Sequence, residues 1–473
     1  MNIDSIAREI VGRVSGVAAD SRSVRPGFVF VCLSEAAKKF IPDALKAGAK
    51  FVVVDSTEGV ECVDNSQTIA CPNRHDLYYK IATALYENKQ PKFVAAVTGT
   101  NGKTSVVDFC RQIWNLTGYR CASIGTLGTI VGNTTLPGNT ALTTPDAVEL
   151  HRTLNELHSL QVEHLCIEAS SHGIEQKRLH GMETSAAAFT NLSRDHLDYH
   201  GSMEMYWATK KKLFSEVLSR KGCAVLNTDS EQYTELRELA GDRNIVTYGT
   251  KDGDVKLTRL EGTKLGHNIT IEILGKVAYE GVFPVFGKFQ VSNLLCALAV
   301  IVASGSNCGN TPIEKLVAPR GRMELIGNRI IIDYAHTPDA LKHAITSLRW
   351  HGFSQKIALV FGCGGNRDRE KRKAMAAVAN RYADTIIITD DNPRNENPAA
   401  IRQEILSHCR HAVEIPNRKN AIHHAVDLAV HHNHVLLIAG KGHETVQQIA
   451  GESIEFNDEA VARSFLDKMQ YAQ

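Results

Sequence analysis

Short apolar runs separated by helix-like or turn-forming segments recur along this chain, and they fall into three groups. In the first, "GFVFVCL", "AKFVVVD" and "SQTIAC" read as strands, with "PDALKAGA" a helix among them. The second opens at Pro91. Phe93 to Val97 has the pattern of a buried strand, a glycine loop follows, and a helical pattern runs from about Ser105 to Leu116 until Gly118 stops it. "HLCIEAS" and "AAAFTNL" add strands to this group. In the third, "NRIIIDYA", "KIALVFGC", "DTIIITDD" and "HVLLIAG" alternate with helix-like "PDALKHAITSLRW", "EKRKAMAAVANRYA" and "ENPAAIRQEILSHC". Such alternation predicts a parallel, doubly wound sheet with its ligand crevice at the carboxyl ends of the strands. The expected fold is therefore α/β in three domains: a small α/β domain over 1–90, a central nucleotide-holding α/β domain over 91–320 and a doubly wound, Rossmann-like domain over 321–473. A chain of 473 residues accommodates three, at roughly 150 residues per domain.

Composition narrows the partners. With 53 Lys and Arg against 52 Asp and Glu, no general basic field draws the chain to nucleic acid or to an anionic membrane, so small molecules are favoured. The opening "MNIDSIAREIVGRV" lacks the charge and apolar blocks of a secretory signal, and no apolar run reaches membrane-spanning length. A cytoplasmic protein without membrane insertion is expected. Eleven cysteines, an odd number without a CxxC pair, read as reduced and mostly buried thiols. "HHAVDLAVHHNH", from His423, reads as solvated histidines at a helix end and in a turn rather than as a metal site.

The stretch "AAVTGTNGKTSVVDF" misses the strict phosphate-loop spacing, because Val97 stands five positions before Gly102. Its physics still suits a phosphate. Gly99 and Gly102 let backbone N–H groups converge on an anion, Lys103 can reach outer phosphates, Thr104 can offer a hydroxyl to Mg²⁺, and a helix N-terminus follows. An ordinary glycine turn is the plain alternative. "IEASSHGIEQKRLHG" sets Glu168, Ser170, Ser171, His172, Gln176 and Arg178 after a strand, joining a metal-type carboxylate to donors suited to phosphates or a sugar; a surface loop would read the same way. "FTNLSRDHLDYHGSMEMYWATKKKLF" brings Asp195, His196, Asp198 and His200 after another strand, and on their own Lys210 to Lys212 read as a solvated helix end.

In order along nearly the whole chain, "TGTNGKT", "EASSHGIEQKR", "FTNLSRDHLDYHG", "YWATK", "GRME", "DYAHTPDAL", "DNPRNENP" and "GKGHE" resemble the Mur ligase family, in its tripeptide-forming branch. The shortened glycine loop is the form that family uses. The resemblance implies an ATP-dependent carbon–nitrogen ligase of cytoplasmic peptidoglycan-precursor synthesis, with a central domain of the phosphate-loop ATPase type. ATP would phosphorylate the D-glutamate carboxylate of UDP-N-acetylmuramoyl-L-Ala-D-Glu, and the amine of an incoming amino acid would displace phosphate from the acyl phosphate. A monomer is expected. The ATP-binding positions implied are Gly99, Thr100, Asn101, Gly102, Lys103, Thr104, Ser105, Asn293, Arg322, Asp333 and His336. Two Mg²⁺ ions would fall to Thr104, Glu168, His196 and Lys210, the last carbamylated by CO₂ into a carboxylate-like group. Lys103, Glu168, His196, Lys210 and Arg322 make up the implied catalytic set. The UDP-substrate would meet Ser21 and Arg22 of "ADSRSVRPGFVF", then Thr143, Thr144, Ser170, Gln176 and Arg178. In the family "DNPR" goes with meso-diaminopimelate, so Arg367, Asp391, Asn392, Pro393, Arg394, Gly440 and Glu444 are expected to hold that amino acid, with Arg394 on its far carboxylate. By itself "DNPR" could simply make a turn.

The chain departs from the family pattern in places. "CLSEAAKKFIPDAL" stands where a glycine-rich turn and Asp-Gly-His are usual, Leu142 and Gln290 stand where Asn is common, and Asn417 replaces an Asp. Three rivals are a lysine-adding relative, a folylpolyglutamate synthetase, and an ATP-hydrolysing switch. "DNPR" and "DHLDYHG" speak against the synthetase, and a third domain with its own constellation speaks against the switch.

Overall fold

The computed structural model describes residues 3–56, 66–137, 142–308, 311–353, 355–366 and 369–471. They gather into two compact units, Met1–Val255 with Cys296–Cys308, and Lys256–Leu295 with Gly309–Gln473.

The first unit opens with four parallel strands in sequential order, Gly16–Ala18, Phe28–Val31, Phe51–Val54 and Thr68–Ala70. Runs such as "FVFV" and "FVVV" are apolar at every position because both sheet faces are covered. Val29, Val31 and Val53 pack with Leu77 and Ile81 of the helix Arg74–Leu85, and Phe30, Val52 and Val54 with Ile41 and Ala44 of the helix Ile41–Lys46. A larger sheet follows in the same unit. Its parallel strands lie in the order Asn244–Gly249, Leu218–Asn227, Thr184–Phe189, Phe93–Thr98, His164–Glu168, Cys121–Gly125. Phe93–Thr98 comes first in the chain but sits in the middle, with later strands on both sides. That reversal is a topological switch point, where an α/β sheet opens its ligand crevice. The helix Lys103–Leu116 starts two residues earlier than its pattern suggested, because Gly102, at φ 89°, turns the chain straight into it. Every residue from Thr104 to Trp114 is buried. Phe109, Ile113 and Trp114, at about 1.5–3 kcal/mol each, fix the start of this helix on a rigid base.

In the second unit the parallel strands Ile330–Asp333, His434–Ala439, Lys356–Phe361, Thr385–Ile388 and Ala412–Glu414 lie side by side in that order, with Arg322–Ile326 antiparallel at one edge. Helices cover both faces: Leu341, Ile345 and Met375 belong to one apolar layer, Ile422 and Val426 to the other. This is the doubly wound arrangement the alternation predicted. His434–Ala439, last of these in the chain, lies between the first and second of them, so the switch point falls beside Asp333 and Gly440. The antiparallel strands Val255–Thr263, Gly266–Ile273 and Lys276–Phe283 join this unit from Lys256 onward. His351 holds them: its Nε2 accepts from Gly287 N at 2.9 Å, so its proton sits on Nδ1, which lies 3.0 Å from both Thr263 O and Gly266 O. Among the described residues no helix is long and apolar enough to cross a membrane.

Candidate active site

The loop after Phe93–Thr98 is shaped by a close approach. Gly99 has φ 148°, and a Cβ there would lie 1.8 Å from Thr190 Oγ1, so glycine is required. Thr190 Oγ1 donates to Asn101 O at 2.6 Å, Asn101 N donates to Asn191 Oδ1 at 3.1 Å, and Thr100 Oγ1 bonds Ser193 O at 3.1 Å and the Tyr206 hydroxyl at 3.2 Å. The loop is thereby pinned to the segment after Thr184–Phe189. Gly102 completes the turn, and Ser105 is buried in the helix that follows.

Two lysines converge on this loop. Lys103 Nζ donates to Gly99 O at 2.8 Å and Thr100 O at 2.9 Å, and Lys210 Nζ donates to the same Gly99 O at 2.9 Å. Lys210 is not part of a solvated helix end: it is 1% exposed and lies 4.4 Å above the Tyr206 ring. Burial, and after it the charge of Lys103, hold its amine well below the usual lysine range. Tyr206 therefore serves both the loop and Lys210, a role that spacing alone did not signal.

Glu168, at the end of His164–Glu168, is 2% exposed and accepts Thr104 Oγ1 at 3.0 Å. Thr126 fixes the same carboxylate, with its N 2.8 Å from Oε1 and its Oγ1 3.2 Å from Oε2. Sequence reasoning missed Thr126, which lies in a tight turn without a motif. A hydroxyl and a carboxylate buried side by side are hard oxygen donors of the kind Mg²⁺ takes. His196 sits in the left-handed region at φ 53°, its Nε2 3.5 Å from Asp195 Oδ2 and its ring 5.1 Å from that of His172.

From Glu168 the polar network continues. Thr144 Oγ1 donates to Glu168 O at 2.8 Å and accepts from Ser170 N at 2.9 Å, and Ser170 Oγ caps Gly173 N at 3.1 Å. Arg178 donates to Thr144 O at 2.8 Å and to Gln176 Oε1 at 2.6 Å, and Thr143 Oγ1 accepts from Thr126 Oγ1 at 3.3 Å. Thr143, Thr144, Ser170, Gln176 and Arg178 thus form one cluster contiguous with Glu168. Ser21 and Arg22 share no hydrogen bond with it among the described residues. They occupy the turn Ser21–Ser23, where exposed Arg22 is clasped by Asp20 at 2.5 and 3.0 Å.

The second unit holds two clusters. In one, Asp333 ends its strand buried; that burial pushes its carboxyl up to about 6, against the opposing pull of Arg322 and the Met323 N–H at 2.8 Å. The Arg322 guanidinium stacks 4.5 Å from the Tyr334 ring, and that ring lies 4.6 Å from His336. Asn293 reaches the group through Gln290, bonding its Oε1 at 2.8 Å, while Gln290 Nε2 donates to Arg322 O at 3.2 Å.

The other cluster lies at the ends of Thr385–Ile388 and His434–Ala439. Gly440, at φ 115°, passes so near Asp391 that a Cβ would lie 2.5 Å from Oδ2. Asn392 Nδ2 donates to Glu444 Oε2 at 2.8 Å, and Pro393 is buried beside them. Arg394 is left-handed at φ 53°, a conformation costing about 1–2 kcal/mol, and it persists because Arg394 N donates to Gln448 O at 2.9 Å and Arg394 O accepts Ala450 N at 2.6 Å. Its Nη1 donates to Gly365 O at 2.9 Å. Arg367 lies outside the described residues. Lys441, fully buried beneath Asn392 and Glu444, is a second residue that sequence reasoning missed.

Residues 97–301 match the Mur ligase middle domain, and residues 321–442 match the family described as Mur ligase, glutamate ligase domain. The chain belongs to the Mur ligase family and is a ligase. It is 69% identical over 472 residues, the whole of both chains, to UDP-N-acetylmuramoyl-L-alanyl-D-glutamate–2,6-diaminopimelate ligase of Anaplasma marginale (strain St. Maries). It is 41% identical to the protein of the same name from Bradyrhizobium diazoefficiens, across 96% of each chain. A solved structure of a ligase of that name is 32% identical, with a TM-score of 0.67 over 97% of this chain and 95% of the other.

Proposed function

We propose that this chain is the ATP-dependent ligase that joins meso-diaminopimelate to the D-glutamate carboxylate of UDP-N-acetylmuramoyl-L-Ala-D-Glu, acting as a cytoplasmic monomer in peptidoglycan-precursor synthesis. The terminal phosphoryl group of ATP passes to a carboxylate oxygen as ADP leaves. The amine then attacks the acyl carbon, the tetrahedral intermediate expels phosphate, and the new amide nitrogen loses a proton. Little of this needs covalent help from the protein, so positioning and charge neutralisation carry the rate.

In the first unit, Lys103 and the N–H groups from Gly99 to Ser105 would hold the phosphates, and Thr143, Thr144, Ser170, Gln176 and Arg178 the muramoyl peptide, with Ser21 and Arg22 on the uridine. Thr104, Glu168 and His196 would hold Mg²⁺, with Lys210 supporting a second ion. When bound, the metal offsets charge between two anions that must approach each other. The lowered proton affinity of the Lys210 amine favours carbamylation, since the uncharged amine is the form that combines with CO₂. In the second unit, Asn293, Arg322, Asp333 and His336 are assigned to the nucleotide, Arg322 neutralising phosphoryl charge.

The choice of amino acid rests on one observation: Asp391, Asn392 and Arg394 follow the carboxyl end of Thr385–Ile388, Glu444 follows that of His434–Ala439, and Asn392 bridges the two segments by donating to Glu444 at 2.8 Å. Arg394 suits a far carboxylate, which lysine lacks, so lysine would leave that guanidinium poorly satisfied and be rejected. The deciding experiment is a ligation assay with ATP, UDP-N-acetylmuramoyl-L-Ala-D-Glu and a panel of amino acids. ADP release should require all three substrates, with meso-diaminopimelate preferred. Incorporation of lysine and none of diaminopimelate would overturn the assignment, as would ATP hydrolysis that ignores the other two substrates.

A further inference from the structure

We propose that Lys441 is a positioning residue that sets the polarity of the amino-acid pocket, fixing Asn392 as a donor and Glu444 as a charged acceptor for a ligand end that carries both a carboxylate and an ammonium group. The inference rests on the function proposed above, since it concerns that reaction's amino acid.

Lys441 is 0% exposed, and its Nζ donates to Asn392 Oδ1 at 3.0 Å, Glu444 Oε2 at 2.8 Å and Val446 O at 2.7 Å. A lysine ammonium has three protons, so none remains for a ligand, and its part can only be to orient its neighbours. Asn392 Oδ1 accepts a second donor, Gln448 N, at 3.0 Å. Two donors on one oxygen settle which way the amide faces, and Nδ2 must point toward Glu444, whose Oε2 it meets at 2.8 Å. Glu444 therefore has one oxygen tied by two donors, one of them charged, while its side chain remains 27% exposed. Charge-assisted bonds are about twice as strong as neutral ones, so Lys441 dominates this orientation. The loop then carries a fixed amide and a held carboxylate, with Arg394 two residues after Asn392 and its Nη1 donating to Gly365 O at 2.9 Å. That set complements the ammonium and carboxylate of an amino-acid zwitterion, whereas a simple dicarboxylate would leave Glu444 facing nothing.

The test is Lys441→Met, which removes the ammonium at nearly constant volume, assayed on the full chain. KM for meso-diaminopimelate should rise about tenfold or more, far beyond any change in KM for ATP or the UDP-substrate and beyond the fall in kcat. The preference for meso-diaminopimelate over 2-aminopimelate, which lacks the far amine, should shrink by a similar factor. Because Lys441→Met strands the Glu444 carboxylate, the double variant Lys441→Met/Glu444→Gln is the second arm: it should melt close to wild type and still lack the preference. Wild-type KM and preference in either folded variant overturns the positioning role. An equal loss toward all three substrates, or failure of both variants to fold, overturns it in favour of a purely structural lysine. A wild type that incorporates no meso-diaminopimelate overturns the proposed function, and this inference with it.

Discussion

Replacing Asp333 with Asn should stabilise the second unit, more so as pH rises, while impairing ligation. Burial moves this carboxyl from an ordinary 3.8 to about 6. Between those values the folded chain keeps a proton that the unfolded chain has released, so the group's favourable contribution is complete below 3.8 and is lost as pH rises through 6. At about 1.4 kcal/mol for each tenfold difference, the loss amounts to about 3 kcal/mol at pH 8 and about half that at pH 5. Asparagine has no charge to bury and keeps an acceptor for Met323 N, which sits 2.8 Å from Oδ2. At about 2–4 °C per kcal/mol for a domain of this size, the melting temperature at pH 8 should rise by several degrees, and by about half as much at pH 5. Thermal unfolding of both proteins at the two pH values, at one ionic strength, measures this. A gain that is absent at pH 8, or larger at pH 5 than at pH 8, would refute the reasoning. In ligation assays the same variant should raise KM for ATP about tenfold or more, because stability and function oppose each other at such a site.

Thr126→Val keeps the backbone donor to Glu168 but removes the hydroxyl at 3.2 Å, and the Mg²⁺ concentration for half-maximal ligation should rise about tenfold; an unchanged Mg²⁺ titration would count against Glu168 as its carboxylate. Arg394→Ala and Arg394→Lys should both lose diaminopimelate incorporation with little change in ATP affinity measured by calorimetry, since lysine cannot reproduce a two-pronged guanidinium grip. Normal incorporation by Arg394→Lys would exclude that grip.

The parts of the site that could be read in the sequence are those where chemistry and chain order coincide. "TGTNGKT" could be read as strand, loop and helix because the glycines, the lysine and the apolar strand are neighbours in the chain, and "DNPR" because it directly follows a strand. What stayed hidden depends on tertiary approach. Thr126 meets Glu168 from 42 positions away in the chain, and Lys441 meets Asn392 from 49. Thr126 lies in no motif, and Lys441, although it sits in "GKGHE", drew no role of its own, because threonine in a turn and lysine in a glycine-rich loop are ordinarily solvent-facing. The strands from Val255 to Phe283 escaped notice for another reason: their alternation is broken by charged residues such as Lys256, Arg259 and Glu272 on a sheet that is only partly buried. Burial of Arg372, at 1% exposure, is likewise invisible until Glu396 and Glu404 are seen to clasp it at 2.9 and 2.6 Å.

Equally deep charges in the two units behave oppositely, and the difference separates architecture from chemistry. Arg418 and Asp458 are both fully buried and meet through two bonds of 2.7 Å. Burial works against the Arg418 charge, but Asp458 outweighs it and the guanidinium is held above its ordinary range. Lys210 is as deep, yet it rests on a carbonyl and an aromatic ring, and burial prevails. A charge satisfied in that way contributes little to the fold, since an apolar side chain of the same length would avoid the desolvation. Lys210→Met should therefore melt no lower than wild type, Gly99 O keeping its 2.8 Å bond from Lys103, while ligation falls to near background. Arg418→Met, which strands a buried carboxylate, should lose about 3–5 kcal/mol. Lys210→Ala should regain part of its activity when short carboxylic acids are supplied, because they can take the place of a carbamate, whereas added alkylamines should not help. If Lys210→Met is destabilised as much as Arg418→Met, or Lys210→Ala ligates at the wild-type rate, then Lys210 belongs to the scaffold and the carbamate has no place in the reaction.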